Sequence, residues 1–352
     1  MRVIITGATG NVGTSVLRAL ETESSIDEVV GVARRVPEHL SFARTQWVKA
    51  DIRSADLTEL FRGADCVVHL AWLIQPSRDE QTTHAVNVEG SGRVFDAVAK
   101  AGVKHFVHAS SVGAYSPGPK DRRVDESWPT GGIETSFYSR HKAAVETMLD
   151  SFEAAQPGIR VARLRPGLIF KREAATGIRR LFLGPFVPNA VVRRPLIPVV
   201  PRTPRLRFQA VHSLDIGEAY RLAIVNRAAR GAFNVAADPV LDPDELARLL
   251  GARTVPVPAG VLRGAADLTW KLRLQPTPSG WLDLALGVPL MDITRAHEEL
   301  GWEPRRTSGE ALVDLLDGIR DGAGLATPPL DPATSGPGRV RELLGRVGAT
   351  SR

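Results

Sequence analysis

Apolar positions follow two rhythms in the first twenty residues: Val3-Ile4-Ile5 is a continuous run, while Val12, Val16, Leu17 and Leu20 recur on one helical face. The pattern predicts a strand, a tight turn and a helix. Glu28–Ala33 reads as a second strand ending at Arg34-Arg35, and a third, near Gln46–Val48, runs into Asp51-Ile52 ahead of a helix over Ala55–Phe61. Asp65–Ala71 is apolar for long enough to be a strand covered on both faces, as in a parallel sheet. A long helix is expected from about Gln81 to Lys100, then a strand over Lys104–Ala109 that delivers Ser110 and Ser111 at its C-terminal end. The loop-like stretch Pro117–Thr135 precedes a helix from about Ser136 to Gln156, a strand over Ile159–Leu164 and the sequence Arg165-Pro166-Gly167. This alternation predicts an α/β fold, a doubly wound parallel sheet with helices on both faces.

Beyond Ile169 the rhythm breaks. Leu181 to Pro201 mixes apolar residues with Pro185, Pro188, Pro195, Pro198 and Pro201, which argues against a regular helix and against an integral membrane segment, and reads as a lid or substrate lobe. Alternation returns with a strand over Phe208–His212, a helix from Leu214 to about Ala229 and a strand over Phe233–Ala236. Amphipathic helices are expected within Leu246–Trp281 and Met291–Ile319. With Gly7, Gly10 and Gly13 in the turn between the first strand and helix, the expected organisation is a Rossmann-type dinucleotide-binding domain over 1–167, completed by about 206–236, with a smaller substrate-binding lobe from 168–205 and 237–326. A Pro/Gly-rich tail, 327–352, would hold one terminal helix at Val340–Val347.

Composition narrows the function classes. The chain has 352 residues, 43% of them hydrophobic, enough to bury a large core. Its single cysteine, Cys66, lies in an apolar run, so a disulfide or cysteine metal cluster is excluded and a buried thiol is expected. Arg2 leads at once into a strand and glycine turn rather than a signal peptide, which makes the cytoplasm the default location. Net charge is +6, concentrated between Arg160 and Arg207, where eleven arginines and one lysine face a single acid, Glu173. That run leaves open an acidic partner, an anionic substrate, a membrane surface or simply a solvated basic face. The histidines lack ligand spacing, so no metal is expected, and the six tryptophans are not interleaved with basic residues, so nucleic-acid binding is not expected.

Candidate chemistry sits at two places. In Thr6-Gly7-Ala8-Thr9-Gly10-Asn11-Val12-Gly13, glycines at a spacing of three lie between a strand and a helix, where the backbone can turn sharply and a pyrophosphate can approach the helix N–H groups. Tyr138 and Lys142 are four apart on a predicted helix and share a face. A phenol near pKa 10 is too weak a base at neutral pH, and a nearby lysine cation would lower it. Ser111, from another element, would hydrogen-bond the reacting oxygen.

Together these landmarks resemble the extended short-chain dehydrogenase/reductases, also called the NAD-dependent epimerase/dehydratase family. Thr6–Gly13, Asp51-Ile52, His69-Leu70-Ala71, Asn87-Val88, Ser111 four before Tyr115, Tyr138 to Lys142, Arg165-Pro166-Gly167, Asp292 and Leu300-Gly301-Trp302-Glu303-Pro304 recur in the family's order. The resemblance implies a nicotinamide cofactor and a Tyr138/Lys142/Ser111 catalytic set, with Tyr138 moving the hydroxyl proton and Lys142 also holding the nicotinamide ribose. It implies cofactor contacts from Gly7, Thr9, Gly10, Asn11, Val12 and Gly13, from Asp51 and Ile52 beside the adenine, from Leu70 and Ala71, and from Asn87 and Pro166. A homodimer is also implied.

At the end of the second strand, where an acid would mark NAD, the chain has Ala33 and then Arg34 and Arg35, which would clamp a 2′-phosphate. NADP(H) is therefore expected over NAD(H). Val112-Gly113 follow Ser111 where family dehydratases carry an acidic pair, so dehydration is not expected. The arginine that grips the nucleotide diphosphate in family epimerases falls on Phe208, with Arg207 one residue off, and Leu168-Ile169-Phe170-Lys171 replaces an Asn and a Tyr-Gly-Pro signature. Trp72, Arg207 and Phe208 are the candidate substrate contacts. Leu181, Phe182, Phe186, Val191, Val192, Leu196 and Ile197 suggest an apolar or amphiphilic small-molecule substrate, or else core or dimer contacts. The leading expectation is hydride transfer between NADP(H) and a carbonyl or alcohol. A sugar-nucleotide epimerase with tightly held cofactor and a non-catalytic dinucleotide-binding redox sensor are the alternatives.

Overall fold

Strands that are apolar on both faces must be covered on both sides, and that requirement builds the molecule. The computed structural model describes residues 1–75, 77–182 and 197–332. Its central sheet comprises β1 (Arg2–Thr6), β2 (Glu28–Ala33), β3 (Thr45–Lys49), β4 (Cys66–His69), β5 (His105–Ala109), β6 (Arg160–Pro166) and β7 (Gly231–Val235). All seven are parallel, in the order β7-β6-β5-β4-β1-β2-β3. The chain runs outward from β1 to β3 and then crosses to β4, so the order reverses between β1 and β4. The carboxyl ends of those two strands form the crevice where such sheets bind ligands.

Each face has its own core. Val16, Leu17 and Leu20 of helix Asn11–Leu20 pack with Ile216, Tyr220 and Ile224 of helix Ser213–Val225 on one side. On the other, Val94, Phe95 and Val98 of helix Gly90–Lys100 pack with Val145 and Leu149 of helix Phe137–Ala155. Cys66 is fully buried, and the low dielectric around it pushes its thiol well above the ordinary range.

Several elements differ from the sequence pattern. The helix expected over Gln81–Lys100 carries a π-turn at Ala85–Glu89 between helices Glu80–His84 and Gly90–Lys100. The helix expected from Ala55 begins at Leu57, because the Asp56 side chain caps it by accepting from Glu59 N. The strand read at Phe208–His212 does not join the central sheet: Ala210–His212 pairs with Leu168–Phe170 in a separate parallel ribbon. The following helix stops at Val225, short of Ala229. The loop at Pro117–Thr135 contains a short strand, Arg123–Val124, paired with Leu290–Met291. The terminal helix expected at Val340–Val347, and Phe186, Val191, Val192 and Leu196 of the expected lid, lie outside the described residues. Among the described residues no helix is long and apolar enough to cross a membrane.

A buried charge cluster ties helix Phe137–Ala155 to β6. Glu146 accepts from Arg163 at 2.7 Å and from Arg165 at 2.8 and 2.9 Å, and from the Ser110 hydroxyl at 2.5 Å. Burial alone would raise this carboxyl, but the hydrogen bonds and charges of Arg165 and Arg163 outweigh it and hold it at about 2. Glu146→Ala leaves the buried Arg165 without a carboxylate, while Arg163 keeps Asp150 and Glu153, and is expected to cost roughly 3 kcal/mol of stability, read as a lower urea midpoint at unchanged slope. Because the folded pKa is depressed, the wild-type contribution is complete above an unfolded value near ~4.3 and is lost as pH falls toward the folded one. Glu146→Ala should lack that acid-dependent component.

Candidate active site

Each glycine of the first turn answers a different steric demand. Gly7 has φ +75°, and a Cβ there would lie 2.7 Å from Ala71 N, so the turn rests directly on the backbone leaving β4. Gly10 caps helix Asn11–Leu20 with extended backbone. Gly13 packs so closely on Ala8 that a Cβ would meet its carbonyl oxygen at 2.5 Å. The helix therefore opens with its N–H groups facing the crevice between β1 and β4, and no acid occupies its first turn. Asn11 donates to Ile169 O at 3.3 Å, and Val12 and Thr9 flank it in the same turn.

The walls of the crevice are pinned from behind. Asn87, in the π-turn, holds the segment after Leu70-Ala71 by accepting from Leu73 N at 2.7 Å and donating to Leu73 O at 2.8 Å. That commits its amide to the backbone, and such π-turns recur at functional sites. His69 sits between the Thr6 and Ser91 hydroxyls at 2.7 and 3.0 Å, and burial lowers it to about 3, so it is neutral. Pro166 ends β6, buried. Beyond β2, Arg34 and Arg35 are exposed and make no hydrogen bond or ion pair among the described residues. Asp51 is held by Arg53, whose Nη2 donates at 2.8 Å, while Ile52 turns into the core against Gly90. Arg53, which the sequence reading did not single out, thus joins Arg34 around Asp51.

Ser111 and Tyr138 both border Gly113: the Ser111 hydroxyl accepts from Gly113 N at 3.0 Å, and a Cβ on Gly113 would lie 3.3 Å from Ser111 Oγ. A Cβ at Gly113 would lie 2.8 Å from Tyr138 Cε1, so the residue in the dehydratase-acid position is the one that makes room for the tyrosine. Lys142 is buried, donates to Ala109 O at 2.7 Å, and stands 6.0 Å from the Tyr138 ring centroid. The expectation that its charge lowers the phenol is not met. Burial raises Tyr138 above its ordinary value, opposed by Ser111, and the same desolvation brings Lys142 down to about 7. The resting site therefore holds a neutral phenol.

Aromatic rings enclose that phenol. Trp72 stands edge-on to Tyr138 at 6.0 Å and lies over the Lys142 ammonium at 3.5 Å. Trp281, from helix Gly280–Gly287, lies 5.1 Å from the Tyr138 ring and in turn meets Phe182 at 5.5 Å. The indole N–H groups of Trp72 and Trp281 are buried with no hydrogen-bond partner. Trp281 was legible in the sequence only as one of six scattered tryptophans. Arg207 and Phe208 are engaged elsewhere: Arg207 donates to Lys120 O at 2.7 Å, and Phe208 bridges Leu241 through backbone bonds of 3.0 and 2.8 Å.

The arginine run divides between interior and surface. Arg163 and Arg165 are buried and hold Glu146, and the half-buried Arg160 reaches Asn226 O and His105. Arg172 pairs with Asp321 at 2.5 Å, Arg202 pairs with Asp244, and Arg205 donates to Gly118 O at 2.6 Å, all at the surface. For Arg163 and Arg165 the readings as an acidic-partner surface or a merely solvated face give way to structural pairing.

The profile of the NAD dependent epimerase/dehydratase family matches residues 3–236. The chain belongs to that family. The fold agrees: the UDP-glucose 4-epimerase of Thermus thermophilus, solved with NAD, aligns at TM-score 0.66 and 21% identity over 91% of this chain and 99% of that one. The Mycobacterium tuberculosis protein Rv2047c is 28% identical over 92% of this chain, which spans only 31% of that relative's length. Rv0501 of the same organism is 29% identical over 99% of this chain and 90% of its own.

The family's dinucleotide fits the glycine cradle, where added Cβ atoms would strike Ala71 and Ala8. Gly7→Ala combines a strained backbone with that collision and is expected to weaken dinucleotide binding by at least roughly tenfold, measured by calorimetric titration. Unchanged affinity would remove the turn from the binding site.

Proposed function

We propose that the protein is an NADP(H)-dependent oxidoreductase acting on a carbonyl or alcohol, with Tyr138 as general acid–base, Ser111 as partner of the reacting oxygen and Lys142 beside them. The observation that carries this reading is the convergence of Tyr138 and Ser111 on Gly113, with the buried Lys142 ammonium 6.0 Å from the Tyr138 ring, in a chain whose first turn is shaped for a dinucleotide. The bound nicotinamide supplies or accepts the hydride. Tyr138 gives its proton to the carbonyl oxygen in reduction and takes it back in oxidation. Ser111 steadies that oxygen. Trp72 and Trp281 exclude water from it and offer two unpartnered N–H donors.

Residues of the glycine turn, Leu70, Ala71 and Pro166 would line the cofactor, with Arg34 and Arg35 on its adenosine side. Arg34 and Arg35 are exposed and make no hydrogen bond among the described residues, which supports NADP(H), although the epimerase structures similar in fold hold NAD. Commitment of Arg207, Phe208 and Arg205 to the protein's own backbone argues for a substrate without a nucleotide diphosphate. A sugar-nucleotide epimerase is the second reading, favoured by the UDP-sugar epimerases of like fold.

Turnover is tested by following NADPH absorbance with aldehydes, ketones and nucleotide sugars, beside analysis of copurified cofactor. Net NADPH oxidation by a simple carbonyl is expected; sugar-nucleotide conversion without net cofactor consumption would favour the epimerase. Tyr138→Phe should lose about two or more orders of magnitude in turnover while cofactor affinity stays unchanged. The double variant Arg34→Ala/Arg35→Ala should weaken NADPH binding by roughly tenfold or more and leave NADH unaffected. Tighter wild-type binding of NADH than of NADPH would sink the cofactor assignment.

A further inference from the structure

Lys171 is fully buried, and its ammonium makes its hydrogen bonds to no carboxylate. It donates to Asn11 O at 2.9 Å, Thr14 Oγ1 at 2.8 Å and Ser15 Oγ at 3.0 Å. All three acceptors lie at the start of the helix that follows Gly10. The charged groups that face it are Glu173 and Arg18, which pair with each other at 3.1 Å. Burial lowers Lys171 to about 7.

This placement costs stability twice. An ammonium is taken out of water without a directly bonded counter-ion, and it stands beside the positive end of a helix, where the macrodipole disfavours cations. Nor do the acceptors need it. The Thr14 hydroxyl donates to Gly10 O at 3.0 Å, the Ser15 and Ser213 hydroxyls are 2.9 Å apart, and Asn11 O also accepts from Ser213 at 3.2 Å. A fixed cation at this turn gains when an anion sits against the same helix end.

We infer that Lys171 is a positioning residue for the diphosphate of the dinucleotide: its ammonium, clamped along the first helical turn, holds the Gly7–Gly13 backbone in its phosphate-facing conformation and sets a positive charge behind it. The inference rests on the dinucleotide reading above and adds to that site the residue that directly follows the strand Leu168–Phe170 of the separate ribbon.

The test compares wild type with Lys171→Met, which keeps the volume and removes the charge. Dissociation constants are measured for ADP-ribose, which carries the diphosphate, by calorimetry, and for adenosine, which lacks it, by ligand-observed NMR; the ligand-free Tm is measured alongside. ADP-ribose should bind K171M about tenfold more weakly, with adenosine unchanged and Tm equal or higher. Unchanged ADP-ribose affinity would overturn the inference, as would parallel loss for both ligands with a lowered Tm, which is the signature of a packing role. If K171M does not fold, Lys171→Gln carries the same comparison, and failure of both to fold assigns Lys171 to stability and overturns the inference. Wild-type protein that binds neither ADP-ribose nor NADPH would instead overturn the dinucleotide reading itself.

Discussion

The close approach of the first turn to the end of β4 is the constraint on which the rest depends. With Gly7 at positive φ and no Cβ, the β1 turn lies on Leu70-Ala71, and with Gly13 bare, helix Asn11–Leu20 sits down on Ala8. Any larger side chain would lift the helix off the sheet and close the crevice. The supporting parts serve that contact from behind: Asn87 fixes Leu73, His69 stays neutral between Thr6 and Ser91, and the Ser213–Val225 helix presses Gly217 against the Ser15 carbonyl.

A second theme is the handling of positive charge in low dielectric. Arg163 and Arg165 are buried where Glu146 meets both; Arg163 also reaches Asp150 and Glu153, and Arg165 the Glu126 carbonyl. Lys142 and Lys171 have no such partner at hydrogen-bond distance, and both are brought to about 7 by desolvation. Arg163 and Arg165 lie in the scaffold, whereas Lys171 lies against the first turn of helix Asn11–Leu20 and Lys142 beside Tyr138. Desolvation that would be a liability elsewhere leaves each lysine poised to gain from an anion or a reacting oxygen.

Burial also reverses the simplest account of the tyrosine. A lysine four residues along the helix lowers a phenol only if its field survives the loss of water around both groups, and here the loss of water is the larger effect on each. Trp72 and Trp281 produce that dry surrounding, one from the segment after β4 and the other from a helix of the C-terminal part. The environment of Tyr138 is thus assembled from both halves of the chain.

The strands β1 to β6, the glycine turn and the Tyr138–Lys142 spacing were legible in the sequence because each depends on neighbours within a few residues: apolar runs, glycines at sharp turns and helical period. The membership of Ala210–His212 in a separate ribbon was not, since strand period says nothing about which strand will be the partner. Nor were the partners of the arginine run, which lie as much as 149 residues away for Arg172 and Asp321. Trp281, Arg53 and Lys171 carried no local signal. Local sequence determined the elements and the chemistry each side chain could offer. Only the tertiary structure decided which charges were neutralised, which were left in dry surroundings and which rings closed over Tyr138, because desolvation and pairing are properties of packed neighbours and not of chain order.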